Sequence, residues 1–273
     1  MDVYRVAPII PSILKSKPKL ETGEIVVVGG GVDGREGGQR IDVYNPYTNK
    51  WREPIYTGIS RIRAASILLP TGEVLILNGE ESYTPNSNLG DRRQPILFNP
   101  VTNKIKLLAA WTNDESDRGY HNFAILLKDG RVLLGGGREL IKDHESGLDI
   151  HRFGCEKPNL RIYSPPYLFR GLRPKIHAEN RITMKLGGTG IDLPFDGQPL
   201  KSTGGIVLMA LPSETHHFDQ NQRMATLSYQ IQGHQLHIDS PTSSMVAPIG
   251  DYTMYFVSEE NVASEGVSVH VVP

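Results

Sequence analysis

The feature that most constrains this chain is a short pattern that occurs three times in its first half. The segments "TGEIVVVGGG", "TGEVLILNGE" and "DGRVLLGGGR" begin at Thr22, Thr71 and Asp129. Each has a Thr-Gly or Asp-Gly turn, then a run of strand-forming residues, then at least one glycine. Glycine accepts the positive φ that such a turn requires. Each copy therefore predicts a hairpin whose second strand ends near a glycine.

The sequence around the three copies extends the pattern to a larger repeated unit. Apolar strands "AASILLP" and "NFAILLK" precede the second and third copies, and a strand ending in Asn-Pro or Ser-Pro follows each copy. Three to four strands per unit, with a period of about 50 residues, are typical of kelch-type β-propeller blades. We therefore predict an incomplete propeller of about three blades over residues 1–170. A β-sandwich with coincidental turns is the competing interpretation.

The repeated pattern stops at about Leu172, and short strand-like runs separated by turns follow it. They include "GGIVLMALP", "MATLSYQI", "QLHIDSP", "DYTMYFVS" and "GVSVHVVP". About seven short strands in roughly a hundred residues predict an immunoglobulin-like β-sandwich, here residues 171–273. Helical periodicity is almost absent, so we predict an all-β chain.

Composition argues against several classes of partner. The net charge is −1, from 29 basic and 30 acidic residues, so nothing favours nucleic acid or an anionic membrane surface. No apolar run approaches the ~20 residues that span a bilayer, and the N-terminus lacks the residue order of a signal peptide. Cys155 is the single cysteine, so the chain forms no internal disulfide. A reducing compartment and a fragment of a larger protein both fit this observation.

One tyrosine and three histidines are the strongest candidates for chemistry. Tyr120 and His121 stand together where a strand of the third repeat is expected to begin, and His216 and His217 lie in a later loop. Imidazole and phenol donors suit a tetragonal Cu(II) site. Neighbouring residues of a strand point to opposite faces, so only one of the paired histidines is expected to face a shared site. A metal site and a packing role at a strand end both remain open.

Four longer segments occur in an order that resembles a known family. They are "DRGYHNFAILLKDGRVLLGGG", "LRIYSPPYLFRGLRPKI", "ETHHFDQNQR" and "GDYTMYFVSEENVASEGVSVHV". Together they resemble the C-terminal part of the galactose oxidase and glyoxal oxidase family of copper radical oxidases. The resemblance covers most of the chain after about Gly23. It implies the last blades of a seven-bladed kelch propeller, followed by an immunoglobulin-like, early-set domain.

The resemblance also implies an activity and a set of metal ligands. The family oxidises primary alcohols or aldehydes with O₂, gives H₂O₂ and is mostly secreted. Tyr120 matches the axial copper ligand that accepts the proton of the substrate hydroxyl, and His121 matches one equatorial ligand. His216 matches the second equatorial ligand, because it lies six residues before Gln222 of the Gln-Arg pair. His217 is then expected to face away from the metal.

One part of the family pattern has no identifiable counterpart here: the radical cofactor, a tyrosine linked covalently to a cysteine. Cys155 follows the Tyr-His motif and is not assigned this role. Ile62 and Arg63 stand where the pattern would place a tyrosine at the start of a strand. The upstream tyrosines are expected at strand ends or in loops: Tyr44, Tyr47, Tyr56 and Tyr83.

Two hypotheses about function follow. The first is a copper oxidase acting on a small alcohol, aldehyde or carbohydrate, provided that another chain, further copies or further sequence supply the Tyr-Cys half. Without that half, Tyr120, His121 and His216 form a copper half-site. The second is a non-catalytic propeller-plus-sandwich module that binds carbohydrate or a protein partner.

Overall fold

The computed structural model describes residues 9–11, 23–32, 36–46, 48–79, 94–110, 118–137, 141–142, 149–150, 157–178, 181–195, 199–202 and 204–273. Over these residues the chain is built from strands and turns, and its one helical segment is a 3₁₀ turn, Pro166–Phe169. No helix in this described part is long and apolar enough to cross a membrane. The all-β class predicted from the sequence is confirmed.

The first repeat forms an antiparallel sheet around one long central strand. Its strands are β1 (Ile9–Pro11), β2 (Gly23–Val28), β3 (Gly31–Val32), β4 (Glu36–Asn45), β5 (Lys50–Trp51) and β6 (Ile55–Arg61). Strand β4 pairs with β2, β3, β5 and β6. Val26 and Val28 on β2 are buried beside Ile41 and Val43 on β4, so one face of the sheet packs into the core.

The second repeat forms a four-stranded sheet in which two strands are buried on both faces. It contains β7 (Ala65–Leu68), β8 (Val74–Leu77), β9 (Ile96–Asn99) and β10 (Lys104–Leu107), in the order β10-β9-β8-β7. Every residue of β7 and β8 is buried. The continuous apolar runs in the sequence reflect this burial, because neither face of these strands meets water.

The third repeat forms a three-stranded sheet and a separate small hairpin. Its strands are β11 (Asn122–Leu126), β12 (Val132–Gly136), β13 (Ile141–Lys142), β14 (Asp149–Ile150) and β15 (Arg161–Tyr163). The sheet order is β11-β12-β15, and β13 pairs with β14. Each of the three sheets contains one copy of the repeated pattern. The number of blades and the domain boundary at residue 170 stay predictions.

The second domain is a sandwich, as predicted. Its strands are β16 (Arg181–Lys185), β17 (Ile191–Pro194), β18 (Ile206–Ala210), β19 (Glu214–Thr215), β20 (Phe218–Asp219), β21 (Met224–Thr226), β22 (Tyr229–Gln232), β23 (Gln235–Ile238), β24 (Gly250–Phe256) and β25 (Val267–Val272). A five-stranded sheet, β16-β25-β24-β18-β21, packs against a three-stranded sheet, β17-β23-β22. Leu208 and Met254 of the first sheet share a core with Leu236 and Ile238 of the second.

The sandwich differs from the sequence prediction in two ways. Strands β16 and β17 and the β19–β20 hairpin were not predicted, because these segments are short and carry few consecutive apolar residues. The predicted run from Met224 to Ile231 forms two strands, β21 and β22, which belong to different sheets. The chain passes from one sheet to the other at Leu227 and Ser228. Apolar and polar residues keep alternating across this crossing, so the sequence pattern did not reveal the change of sheet.

The repeat sheets and the sandwich share a common core and several polar contacts. Tyr255 and Val257 of the sandwich are buried in the same cluster as Val132 and Leu134 of β12. Arg173 donates to the carbonyl of Asp129 in the third repeat and to those of Ala263 and Ser264 in the sandwich, at 2.7–2.9 Å. These contacts hold the second domain against the repeat sheets.

Candidate metal centre

Three of the side chains selected from the sequence lie together in the structure. The ring of Tyr120 stacks on the ring of His121, with centroids 3.8 Å apart. The ring of His216 lies 4.5 Å from that of His121 and 5.7 Å from that of Tyr120. His121 and His216 are exposed and Tyr120 is half-buried. Two imidazoles and one phenol therefore converge at a surface that water and small molecules reach.

Tyr120 and His121 lie in a turn before strand β11 rather than in the strand itself. The backbone N–H of Asn122 donates to the carbonyl of Gly119 at 3.2 Å, and its side-chain amide donates to the same carbonyl at 2.6 Å. His121 has a φ of 63°, a left-handed conformation that a strand residue does not adopt. The sequence prediction placed the pair at the beginning of this strand, and the structure places it in the turn that Asn122 caps, immediately before the strand.

Asn122 also joins this turn to the preceding repeat. Its amide donates to the carbonyl of Arg63 at 2.9 Å, and its Oδ1 accepts a hydrogen bond from Asn78 at 3.0 Å. Both asparagines are buried. Sequence reasoning did not select them. The only sequence signal for Asn122 was its amide side chain directly after Tyr-His. The residues it bonds to, Arg63 and Asn78, are distant in the chain.

His216 and His217 form the loop of a tight hairpin. Thr215 pairs with Phe218, so the two histidines are the only loop residues, with φ values of 53° and 64°. Positive φ at both loop positions is the mark of a type I′ turn, which most often contains Asn-Gly. The sequence prediction separated the two side chains by strand alternation. The turn separates them instead, leaving His216 exposed and His217 buried.

The hydrogen bond to Thr215 selects one nitrogen of His216 for a metal. Thr215 Oγ1 lies 2.7 Å from His216 Nδ1. This hydrogen bond occupies Nδ1 and leaves Nε2 as the ring nitrogen that can bind a metal. A partner on the second ring nitrogen is what orients ligating histidines in metal sites generally.

His217 lies in the same cluster but is not suited to bind a metal from solution. Only 3% of its surface is exposed. Burial lowers the pKa of His217 to about 4, and the nearby positive charges of Arg63, His216 and His121 act in the same direction. The side chain is therefore neutral at physiological pH and serves in packing.

Arg63 is a further member of the cluster, which sequence reasoning did not assign to the site. Its guanidinium carbon lies 4.6 Å from the centroid of the Tyr120 ring, in cation–π contact. Arg63 is 6% exposed and has a φ of 55°. Left-handed backbone at residues other than glycine is costly and clusters at functional sites. Here it occurs at Arg63, His121, His216 and His217.

Glu214 begins the hairpin that carries His216 and is largely buried. Its strand β19 packs against strand β11, where the carboxyl group faces the backbone N–H of Ala124. Burial and the nearby charge of Asp219 raise the pKa of Glu214 to about 8, whereas the N–H of Ala124 acts in the opposite direction. The carboxyl group joins the hairpin to the strand that follows Tyr120 and His121.

The donor set of the cluster consists of nitrogen and oxygen atoms from histidine and tyrosine. In the described residues there is no group of three or more His, Cys, Asp or Glu side chains that could hold a metal ion. Two imidazoles with a phenol do occur, and this nitrogen and oxygen set suits Cu(II) better than a soft metal site. The three residues fit part of a copper site, with further positions left for water or other ligands.

No described tyrosine joins this group as a second phenol ligand. Tyr44 donates to Asn49 at 2.6 Å and packs on Trp51, at the far end of strand β4. Tyr56 is 69% exposed on β6. Tyr47, Tyr83 and Cys155 lie outside the described residues, so the structure does not bear on them.

Comparison with known families accounts for nearly the whole chain. The family described as "Glyoxal oxidase N-terminus" matches residues 31–167, and the family described as "Galactose oxidase-like, Early set domain" matches residues 173–271. The chain belongs to the glyoxal oxidase family. The resemblance seen in the sequence is confirmed, and the early-set match agrees with the sandwich of the second domain.

Relatives of this glyoxal oxidase family member carry oxidase names. An aldehyde oxidase of Arabidopsis thaliana is 31% identical over 235 residues, which are 78% of this chain and 36% of the relative. An aldehyde oxidase of Vitis pseudoreticulata is 29% identical, over 72% of this chain and 39% of the relative. A galactose oxidase of Gibberella zeae is 25% identical, over 76% of this chain and 28% of the relative. The chain thus spans less than half the length of these relatives.

A solved structure shares the fold of this family member. It is a fungal alcohol oxidase in complex with copper, with a TM-score of 0.75 and 20% sequence identity. The similarity covers 99% of this chain and 54% of the fungal protein. At this identity the comparison supports the all-β architecture and not a particular substrate.

Proposed function

We propose that this chain carries the histidine-and-tyrosine half of a copper oxidase site. The complete protein then oxidises primary alcohols or aldehydes with O₂ and produces H₂O₂. The observation that best supports this proposal is the contact between His121 of the third repeat and His216 of the second domain. Both rings are exposed, so burial of apolar surface does not explain why two domains meet at imidazoles.

Tyr120, His121 and His216 are the residues that would hold copper. When bound, copper supplies one-electron redox chemistry and a position for the substrate oxygen. The two imidazoles act as neutral nitrogen ligands. In its phenolate form, the oxygen of Tyr120 would take the proton of the substrate hydroxyl and become a phenol. The guanidinium of Arg63 lies over the Tyr120 ring and fixes its orientation. The net reaction moves two electrons and two protons from the alcohol to O₂.

The other half of the site is proposed to come from further blades. The chain spans 36% of its Arabidopsis relative. Leu160, just before strand β15, is 62% exposed, and Ile162 within the strand is 51% exposed. Large apolar side chains at one sheet face usually contact another element. A neighbouring blade that bears the Tyr-Cys cofactor, on a longer form of this chain or on another chain, would cover that face.

Copper titration followed by electron paramagnetic resonance tests the metal site. We expect the wild-type spectrum to show nitrogen ligation, and His121→Ala and His216→Ala each to weaken copper binding by at least about 10-fold, since even outer residues of metal sites have effects of that size. His177→Ala, at an exposed histidine of the second domain, is the matched control. If the two site variants give the wild-type spectrum and affinity, the copper site is disproved and a non-catalytic module becomes the better interpretation.

An activity assay tests the need for the missing half. We expect the copper-loaded chain alone to produce no H₂O₂ from primary alcohols or aldehydes, and to gain activity only when the Tyr-Cys blades are present. Copper-dependent turnover by the chain alone, lost in Tyr120→Phe, would show that the site is already complete.

A further inference from the structure

The side-chain amide of Gln222 binds the backbone of strand β7 through both of its polar atoms. Its Oε1 accepts a hydrogen bond from the N–H of Leu68 at 2.7 Å, and its Nε2 donates to the carbonyl of Ser66 at 2.6 Å. Strand β7 is the last strand of its sheet, so these groups lie on its open edge. A neighbouring parallel strand bonds the same pair of groups. Gln222 therefore replaces one residue of an additional strand.

Gln222 lies at the base of a closed loop that carries His216. We call residues 211–223 the histidine hairpin. Asp219 Oδ1 accepts hydrogen bonds from the N–H groups of Ser213 and Asn221, at 2.8 and 2.9 Å. The N–H of Gln220 donates to the carbonyl of Ser213 at 3.0 Å. These bonds make the hairpin one stiff unit, so a contact at its base constrains the imidazole at its tip.

The histidine hairpin is held from two sides. Gln222 binds β7, the strand that follows Arg63, and strand β19 packs against β11, the strand that follows Tyr120 and His121. Contacts with two different sheets fix the hairpin in two directions. His216, at the tip between them, is thereby aligned with the ring of His121.

We propose that Gln222 is a positioning residue for the metal centre. Its amide anchors the histidine hairpin on the edge of β7 and so sets the place of the His216 imidazole relative to His121. This inference rests on the proposed copper function, but Gln222 itself does not touch the metal. A residue of this kind affects metal affinity by orienting a ligand, as outer residues of metal sites do.

The first test compares copper affinity in three full-length variants. Gln222→Met keeps the size of the side chain but removes both hydrogen bonds, and we expect copper binding to weaken by about 10-fold. Gln222→Glu keeps an acceptor for Leu68 and loses the donor to Ser66, so it should give a smaller loss and still fold if the methionine variant does not. Gln220→Met, at an exposed glutamine of the same hairpin, should bind copper like the wild type.

A double-variant cycle separates positioning from general stability. If Gln222 acts through His216, then Gln222→Met should cause no further loss of copper affinity in a His216→Ala background. An equal loss in both backgrounds, or wild-type affinity in Gln222→Met and Gln222→Glu, would overturn the proposal.

A metal-free measurement keeps this inference distinct from the proposed function. In the copper-free protein, nuclear Overhauser contacts between the rings of His121 and His216 should be present in the wild type and in Gln220→Met. They should be lost in Gln222→Met, together with the protection of the Leu68 amide from hydrogen exchange. Absence of copper binding in the wild type would disprove the proposed function alone, whereas unchanged ring contacts in Gln222→Met would disprove the role of Gln222.

Discussion

The imidazole of His216 meets the imidazole of His121 edge-on, with ring centroids 4.5 Å apart and ring planes inclined by 72°. The two residues come from different domains, and each lies in a left-handed turn. Tyr120 stacks on the face of His121, at an angle of 26° between the rings. The three donors are thus held by backbone turns and by one another.

The hydroxyl of Tyr120 is expected to bind copper and to contribute little to the stability of the fold. Tyr120→Phe keeps the ring that stacks on His121 and lies under Arg63, so the free energy of unfolding should change little. The phenolate-to-copper absorption band in the visible range should disappear. Tyr56→Phe, at an exposed tyrosine, should keep the band. A band of wild-type intensity in Tyr120→Phe would show that this phenol is not a ligand.

The contact of Arg63 with Tyr120 should contribute a measurable coupling energy. Arg63 is buried and Tyr120 half-buried, and a cation over a ring contributes about 0.5–2 kcal/mol, more as the pair is desolvated. We expect a coupling of about 1 kcal/mol between Arg63→Met and Tyr120→Leu in urea unfolding. Arg63→Lys should retain part of it. Additive effects of the two substitutions would show that the cation–π contact contributes nothing to stability.

Gly79 should tolerate a side chain less well than Gly58. Both residues have positive φ, 91° and 73°, so a side chain strains the backbone at either site. A Cβ at Gly79 would lie 2.6 Å from the carbonyl oxygen of Ile62, whereas one at Gly58 meets nothing within 4 Å. We expect Gly79→Ala to lower the free energy of unfolding by at least about 1 kcal/mol more than Gly58→Ala does. Equal losses in urea unfolding would contradict the close backbone approach at Gly79.

Arg173 should stabilise the junction of the two domains. Its guanidinium binds one carbonyl of the third repeat and two of the sandwich, and hydrogen bonds to a charged group are among the stronger ones. Arg173→Met should lower the free energy of unfolding by about 2 kcal/mol or more. Arg181→Met, which removes an exposed pair with Asp251, should have a much smaller effect. Similar losses in the two variants would argue against this role.

Much of the architecture could be read from local patterns. Turn glycines such as Gly72 and Gly130, which adopt positive φ, and the apolar runs of β7 and β8 depend on neighbouring residues and on burial alone. The Tyr-His and Thr-His-His motifs also identified three candidate donors. Strands β16 and β17 were missed because they are short and their pairing partners, β25 and β23, lie far away in the chain. The β19–β20 hairpin was missed because each of its strands has only two residues.

The sequence by itself therefore determined the all-β class, the repeated sheets, the sandwich and the residue types of a candidate copper site. Only the tertiary structure decided that His216 meets His121, that Arg63 lies over Tyr120 and that Gln222 holds β7. These relationships arise from docking of one domain on another. Local propensity cannot encode them, because the energy of each contact depends on atoms that come together only after both domains have folded.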